Sequence, residues 1–248
     1  MAEELYRTHD SMGDIIVSQQ GNKRIMQFAS DQGTSLEQTS VLIDRPWKLQ
    51  HEYTQIMLLG LLFVEARHIT LLGLGGGGLL HCIRHFFPRL LVQVVEQRQR
   101  VIDTAYQWFN LPKHENIQIQ CAEAADFLHR SGDFKTDLIF SDLYEAEGMS
   151  GSQAQLAFIQ AAYGVLNEHG WLLINFHQLP AADSELMRRL RALFAEIYIC
   201  DIFSGNRVLF CGRSPLLSGL SELSPYARRL AKTLDMPLFY YFNQLKKL

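Results

Sequence analysis

The sequence has no surplus of positive charge: 23 Lys and Arg face 26 Asp and Glu, for a formal net charge of -3. A protein that grips a phosphate backbone concentrates Lys and Arg into a basic footprint, so nucleic acid is not expected as a main partner. Cysteine is sparse and unpaired. Cys82, Cys121, Cys200 and Cys211 form no C-x-x-C spacing and read as buried thiols of a reducing compartment rather than a disulfide frame. Long apolar runs are also missing. The longest, Ile56 to Val64, is too short to span a bilayer and is followed by Glu65, Arg67 and His68. The N-terminus, Met-Ala-Glu-Glu-Leu-Tyr-Arg, is acidic and does not resemble a secretory signal, so the expected location is the cytoplasm, with no membrane partner. Repeats and low-complexity tracts are absent. Apolar residues at 48% and charged residues at 20% argue against disorder, and 248 residues suffice for one substantial domain with a small appendage.

What is present centres on Ile69-Thr70-Leu71-Leu72-Gly73-Leu74-Gly75-Gly76-Gly77-Gly78-Leu79-Leu80. An apolar strand leads into glycines and then into helix-forming sequence. Gly73, Gly75 and Gly78 satisfy G-x-G-x-x-G, and Glu96 follows about twenty residues later at the end of a second apolar run. Positions without side chains let the backbone turn sharply and let a ligand sit against amides at a helix N-terminus. An acid at the second strand end accepts hydrogen bonds from ribose hydroxyls.

Along the chain, Asp14 to Phe28 alternates apolar and polar residues around Gly21-Asn22, the pattern of a β-hairpin. Gly33-Thr34 breaks to a short extended piece at Ser40 to Ile43, which Pro46 closes. Residues 1–50 are too few for an independent core and read as a small β appendage. The spacing then predicts a helix at Glu52–Phe63, a strand at Ile69–Leu72, a helix at Leu79–Phe87 and a strand at Leu91–Val95. It continues with a helix at Arg98–Asn110, a strand at Ile117–Cys121, a helix at Ala124–Ser131 and a strand at Leu138–Ser141. A helix at Gln153–Asn167, a strand at Trp171–Phe176 and a helix at Ser184–Phe194 follow. Ile197–Phe203 and Arg207–Cys211 flank Ser204-Gly205-Asn206 as a closing antiparallel hairpin, and the tail from Ser221 is helical. Alternating strands and helices imply an α/β, doubly wound, mostly parallel Rossmann-like sheet. Its nucleoside-binding domain is assigned to 51–215 and a helical tail to 216–248.

In such sheets ligands bind beyond the carboxyl ends of the strands. There the sequence places the glycines, Glu96, Glu123 and Asp142 after strands one to four of the alternating series. Asp142, Tyr144, Glu145 and Glu147 share one acidic loop, with Gly148 and Gly151 as points where it can bend. Asp126 lies inside the following helix and reads as a surface or capping group. His81 and His85, four apart on one helix, have no third ligand beside them and read as packed or exposed histidines, so no metal is expected. His177 follows the fifth strand near the same sheet edge and is a weaker substrate-contact candidate.

These residues carry a resemblance. His51-Glu52-Tyr53-Thr54-Gln55-Ile56-Met57, Gly73 to Gly78, Val94-Val95-Glu96, Cys121-Ala122-Glu123-Ala124-Ala125-Asp126-Phe127-Leu128 and Asp137-Leu138-Ile139-Phe140-Ser141-Asp142 resemble the spermidine synthase-like branch of the class I S-adenosylmethionine-dependent methyltransferase fold. The resemblance covers nearly the whole chain. It implies that Gly73, Gly75, Gly76 and Gly78 cradle S-adenosylmethionine or its decarboxylated form, that Glu96 holds the ribose and that Glu123 reads the adenine amino group. It gives Asp142, with Tyr144 and Glu145, a place at the reacting centre, and Tyr53, Gln55 and Glu147 a place along the acceptor. From the residues alone, Tyr53 suits core packing equally well. The chain departs from the family at two points. Gly76 stands where the family's glycine loop carries an aspartate near the amine end of the decarboxylated nucleoside, and Asp142-Leu143-Tyr144-Glu145-Ala146 replaces its Asp-Ser-x-Asp-Pro segment.

The implied reaction is aminopropyl transfer to a small cationic amine, with a carboxylate taking the proton of the attacking nitrogen. An alkyl amine titrates near ~10.4, so presenting it neutral at pH 7 costs about 4–5 kcal/mol without such a base. Methyl transfer to another small-molecule acceptor is the alternative that Gly76 favours. The glycine pattern also suits an NAD-dependent oxidoreductase, against which Glu123 speaks, or a non-catalytic nucleoside-binding protein. The resemblance further implies a homodimer.

Overall fold

The computed structural model describes residues 2–29, 35–130, 132–145, 148–149, 156–202 and 205–248. The expected break at Gly33-Thr34, the glycine at 151 and the expected helix start at Gln153 lie outside them.

The chain opens with four antiparallel strands, β1 (Glu3–Asp10), β2 (Gly13–Gln20), β3 (Lys23–Ala29) and β4 (Ser35–Leu42), ordered β1-β2-β3-β4. The hairpin read at Gly21-Asn22 is β2–β3, with Gln20 opposite Lys23. The preceding strand is less legible because β1 is polar and has no fully buried residue. Helix α1 (Glu52–Met57) runs into a 3-10 turn at Leu58–Leu62, where a single helix was expected. A Cβ at Gly60 would stand 2.7 Å from Leu173 Cδ2, so a side chain there would displace the end of this leucine.

Next come β5 (His68–Leu72), α2 (Gly78–Phe86), β6 (Leu91–Glu96), α3 (Gln99–Trp108), β7 (Ile117–Cys121), α4 (Ala124–Arg130) and β8 (Thr136–Ser141). Two short strands, β9 (Tyr144–Glu145) and β10 (Gly148–Met149), pair with each other. The rest is α5 (Leu156–Val165), β11 (Leu166–Phe176), α6 (Glu185–Leu193), β12 (Glu196–Asp201), β13 (Arg207–Gly212), α7 (Leu220–Leu234), α8 (Leu238–Phe242) and β14 (Lys246–Lys247). The eight-stranded sheet is ordered β14-β12-β13-β11-β8-β5-β6-β7. β6 pairs parallel with β7 and β8 with β11, while β13 runs antiparallel to both β11 and β12, the expected closing hairpin. The edge strand β14 was not read from the sequence, because Lys246 and Lys247 carry no strand pattern and gain their place only by pairing with β12.

Two compact units divide the chain. The first comprises Met1–His51, Leu71–Ala124 and Leu143–Ser150. In its core Ile15, Val17, Met26, Phe28 and Val41 of the N-terminal sheet bury together with Val101 and Phe109, so this sheet completes its apolar cluster with residues from in and just after α3. The second comprises Glu52–Thr70, Ala125–Asp142 and Gly151–Leu248. Its core is aromatic. Phe63 packs 4.7 Å from Trp171 and 5.5 Å from Phe210 between ring centroids, and Gly212 gives the Trp171 indole space that a Cβ would fill. The tail docks here as well, with Tyr241 Oη donating to Glu52 Oε1 at 2.6 Å. Among the described residues no helix is long and apolar enough to cross a membrane.

Candidate functional site

In the first unit the glycine loop follows β5 and opens α2. Gly73, Gly75 and Gly77 have positive φ of 93, 51 and 78 degrees, a region that residues with a Cβ enter only at a cost. Gly77 is the N-cap of α2 and has no side-chain cap bond. A Cβ on it would lie 2.2 Å from Leu111 Cδ1, so a side chain there would displace the end of that leucine as well as adopt an unfavourable φ. The loop is tied to β6 by the Gly73 amide, which donates to the Val95 carbonyl at 2.9 Å.

Glu96, at the end of β6, is 9% exposed. Its Oε2 accepts from the Leu74 amide at 3.0 Å and its Oε1 from the Arg98 amide at 2.9 Å. Burial pushes this carboxyl up, and the amides of Arg98, Leu74 and Gly75 together with the Arg98 charge oppose the rise. Each carboxylate oxygen can accept more than one hydrogen bond, so capacity for hydroxyl donors remains after these contacts. Glu123 sits half-buried in the turn between β7 and α4. Asp126 is exposed and pairs with Arg130 at 3.7 Å, one helical turn on, as expected for a surface group.

Gly76 is enclosed. A Cβ there would stand 2.6 Å from Thr39 Cγ2 and 2.8 Å from Phe109 Cδ1. The space beside this loop position is therefore taken by a β4 methyl and a phenyl ring, both distant from the loop in sequence. His81 is buried with Nε2 2.9 Å from the Phe109 carbonyl, and burial lowers its pKa. His85 stacks on Trp47 with centroids 4.2 Å apart. His81 is thus a packed histidine and His85 an exposed one stacked on an indole.

In the second unit Asp142 directly follows β8. Its Oδ2 accepts from Tyr53 Oη at 3.0 Å and its Oδ1 from Asn175 Nδ2 at 3.0 Å. Desolvation pushes the carboxyl up to about 6, and the two hydrogen bonds work against that rise. Tyr53, on α1, is thus tied to the acid at the end of β8 rather than spent on packing alone. Asn175 is fully buried, and its Oδ1 accepts from Asn206 Nδ2 at 3.0 Å. Asn206 thereby fixes which end of the Asn175 amide faces Asp142.

Sequence reasoning missed both asparagines. A signal for Asn175 existed, since it is the one polar residue in Trp171-Leu-Leu-Ile-Asn-Phe, and a buried amide in such a run needs a partner. Asn206 follows Gly205 between two strand patterns and carries no such signal. Gln55 lies half-buried on α1. Tyr144 and Glu145 form the backbone of β9, while their side chains, and Glu147 entirely, lie outside the described residues.

No family model matches the chain. By sequence it is 27% identical over 184 residues to a polyamine aminopropyltransferase of Neisseria meningitidis, covering 73% of this chain and 68% of that protein. It is 27% identical over 209 residues to the eEF1A lysine and N-terminal methyltransferase of Bos taurus, covering 75% of this chain and only 30% of that protein. By structure it is similar to human methyltransferase-like protein 13 in complex with SAH, with a TM-score of 0.67, 22% identity, and 75% and 94% of the two chains covered. It is also similar to a spermidine synthase in complex with the transition-state analogue AdoDATO, with a TM-score of 0.65, 16% identity, and 94% and 88% covered.

Proposed function

We propose that this chain, which resembles the spermidine synthase-like branch of the class I S-adenosylmethionine-dependent methyltransferase fold in sequence and structure, is a transferase. On this reading it binds S-adenosylmethionine or its decarboxylated form and passes an aminopropyl group to a small amine. Its relatives of both kinds carry the names of transferases, which supports group transfer over hydride chemistry.

The nucleoside end fits the first unit. The positive-φ glycines leave the loop free of side chains, and the buried Glu96 carboxylate stands beside the loop with acceptor capacity for ribose hydroxyls. When bound, the sulfonium supplies an activated carbon and leaves as a neutral thioether.

The observation that carries the reading is the state of Asp142. A partly buried carboxyl held by a phenol and an amide, pushed up to about 6, is ionised at neutral pH and placed to take the proton that the acceptor nitrogen must lose to attack as a neutral amine. Tyr53 and Asn175 fix its direction, so the carboxylate does not have to be reoriented during the proton transfer.

Methyl transfer is the second reading, and the surroundings of Gly76 favour it. Thr39 and Phe109 fill the space next to that residue, and a loop without a carboxylate there no longer repels the carboxylate of intact S-adenosylmethionine.

The test is calorimetric titration with S-adenosylmethionine, its decarboxylated form and methylthioadenosine, repeated on Glu96→Ala, followed by a mass-spectrometric screen of amines. Preference for the decarboxylated nucleoside, lost in the variant, with a product heavier by one aminopropyl group, is the expected result. Preference for intact S-adenosylmethionine would move the assignment to methyl transfer. Binding of none of the three would end the nucleoside reading.

A further inference from the structure

We propose that Arg98 is a positioning residue for nucleoside binding, which holds the Glu96 carboxylate through its own backbone amide while its side chain is anchored in the turn between β1 and β2. The inference rests on the nucleoside reading above and deepens it by naming what sets the ribose-binding acid in place.

Arg98 is the N-cap of α3, with φ -100 and ψ 109 and no side-chain cap bond. Helices favour Ser, Thr, Asp or Asn at this position, and arginine brings none of their capping chemistry. Its side chain is used elsewhere. Nε donates to Asp10 Oδ2 at 3.0 Å, and Nη2 donates to Asp10 Oδ1 at 2.8 Å and to the Gly13 carbonyl at 2.7 Å. The guanidinium also lies over the Phe28 ring, 4.7 Å from its centroid. The side chain is 4% exposed. Asp10 is held from its own turn as well, accepting from the Met12 amide at 2.9 Å. A forked, buried contact of this kind has little rotational freedom. With the side chain pinned at its far end, the Arg98 amide is fixed in direction, and that amide donates to Glu96 Oε1. The other oxygen, Oε2, accepts from Leu74 in the glycine loop. Together with the Gly75 amide these contacts set the orientation of the Glu96 carboxylate, and Arg98 links it to the N-terminal sheet.

Arg98 also brings a positive charge beside a carboxylate that burial drives toward its neutral form. Beyond Arg98 stand Asp10, its ion-pair partner, and His9, whose charge acts on Asp10. A ribose hydroxyl donates to an ionised acid more strongly than to a protonated one, so removing this charge weakens the contact even where the geometry survives.

The bland alternative is an ion pair that only fastens the N-terminal sheet to α3. A double-mutant cycle separates the two. The full-length protein is titrated calorimetrically with S-adenosylhomocysteine as wild type, Arg98→Met, Glu96→Gln and the double variant. We expect Arg98→Met to weaken binding by about tenfold or more in the wild-type background and by less than about twofold when Glu96 is already Gln. Equal weakening in both backgrounds, or none in the first, overturns the proposal. Should Arg98→Met leave Asp10 too poorly satisfied to fold, Arg98→Met/Asp10→Asn removes both charges and enters the same cycle. A second measurement, the carbon-13 carboxyl titration of Glu96, is independent of affinity. It is expected to move upward in Arg98→Met, and an unmoved titration overturns the coupling. Failure of the wild type to bind S-adenosylhomocysteine would count against the nucleoside reading, whereas the carboxyl titration would still report whether Arg98 acts on Glu96.

Discussion

Replacing Asp142 by Asn is expected to stabilise the fold while disabling the chemistry, and the stabilisation is expected to depend on pH with a definite sign. In the folded chain the carboxyl rises from an ordinary 3.8 to about 6 because burial disfavours its charge. Between those values the folded protein holds a proton that the unfolded chain has released, so stability falls as pH rises through this window. The rise is about two units, and at about 1.36 kcal/mol per unit it amounts to about 3 kcal/mol lost by pH 7.5. Asparagine escapes this loss, keeps the shape and can still accept from Asn175. It weakens the contact with Tyr53, so a net gain of about 1–3 kcal/mol is expected at pH 7.5, shrinking toward zero near pH 4. Urea unfolding of both proteins at half-unit steps from pH 4 to 8 measures the difference. A flat difference, or an Asn variant that loses ground as pH rises, would refute the account of Asp142 as a charge held at a cost. Transfer activity of the same variant is expected to fall by at least about a hundredfold with nucleoside affinity retained.

Three further outcomes follow from named contacts. Gly76→Ala puts a methyl 2.6 Å from Thr39 Cγ2 and 2.8 Å from Phe109 Cδ1, and is expected to cost about 1–3 kcal/mol in thermal or urea unfolding; adding Thr39→Ser, which deletes one of the two clashes, should return part of it. Asn206→Ala frees the Asn175 amide to turn, so kcat/KM for transfer should fall about tenfold while nucleoside affinity measured by calorimetry holds; equal losses in both would contradict a role through Asn175. Tyr241→Phe removes the 2.6 Å bond to Glu52, and about 1–2 kcal/mol of stability should go with it.

The parts of this fold legible in the sequence are those written in local pattern. The strand–glycine–helix unit at Ile69 to Leu80 and the apolar runs of β6, β8 and β11 announce themselves, because buried parallel strands need continuous apolar sequence. Glu96 and Asp142 are legible from their places at the ends of β6 and β8. What stayed hidden depends on partners far along the chain. Nothing near Asp10 tells of Arg98, which lies 88 residues away, and Thr39 gives no hint that its methyl closes the space at Gly76. The strand β14 exists because β12 offers an edge, not because two lysines favour extension. Asn175 was half legible: its apolar setting said that the amide must be satisfied, but only the fold names Asp142 and Asn206 as its partners.

Glu96 and Asp142 show how one chain surrounds two carboxylates with different partners. Burial raises both. Around Glu96 the counterweights are backbone amides and the charge of Arg98, all of which reward the anion and none of which has a proton to take or give at neutral pH. Such an acid is suited to accept hydrogen bonds from neutral hydroxyls and remain unchanged. Around Asp142 the donors are a phenol and a primary amide, both uncharged, and the balance is left near 6. Partners of these two kinds suit one acid to binding and the other to proton transfer. It predicts an asymmetry between conservative variants: Glu96→Gln should cost mainly nucleoside affinity, and Asp142→Asn mainly turnover. A chain in which both substitutions depressed the same quantity would not divide its labour this way.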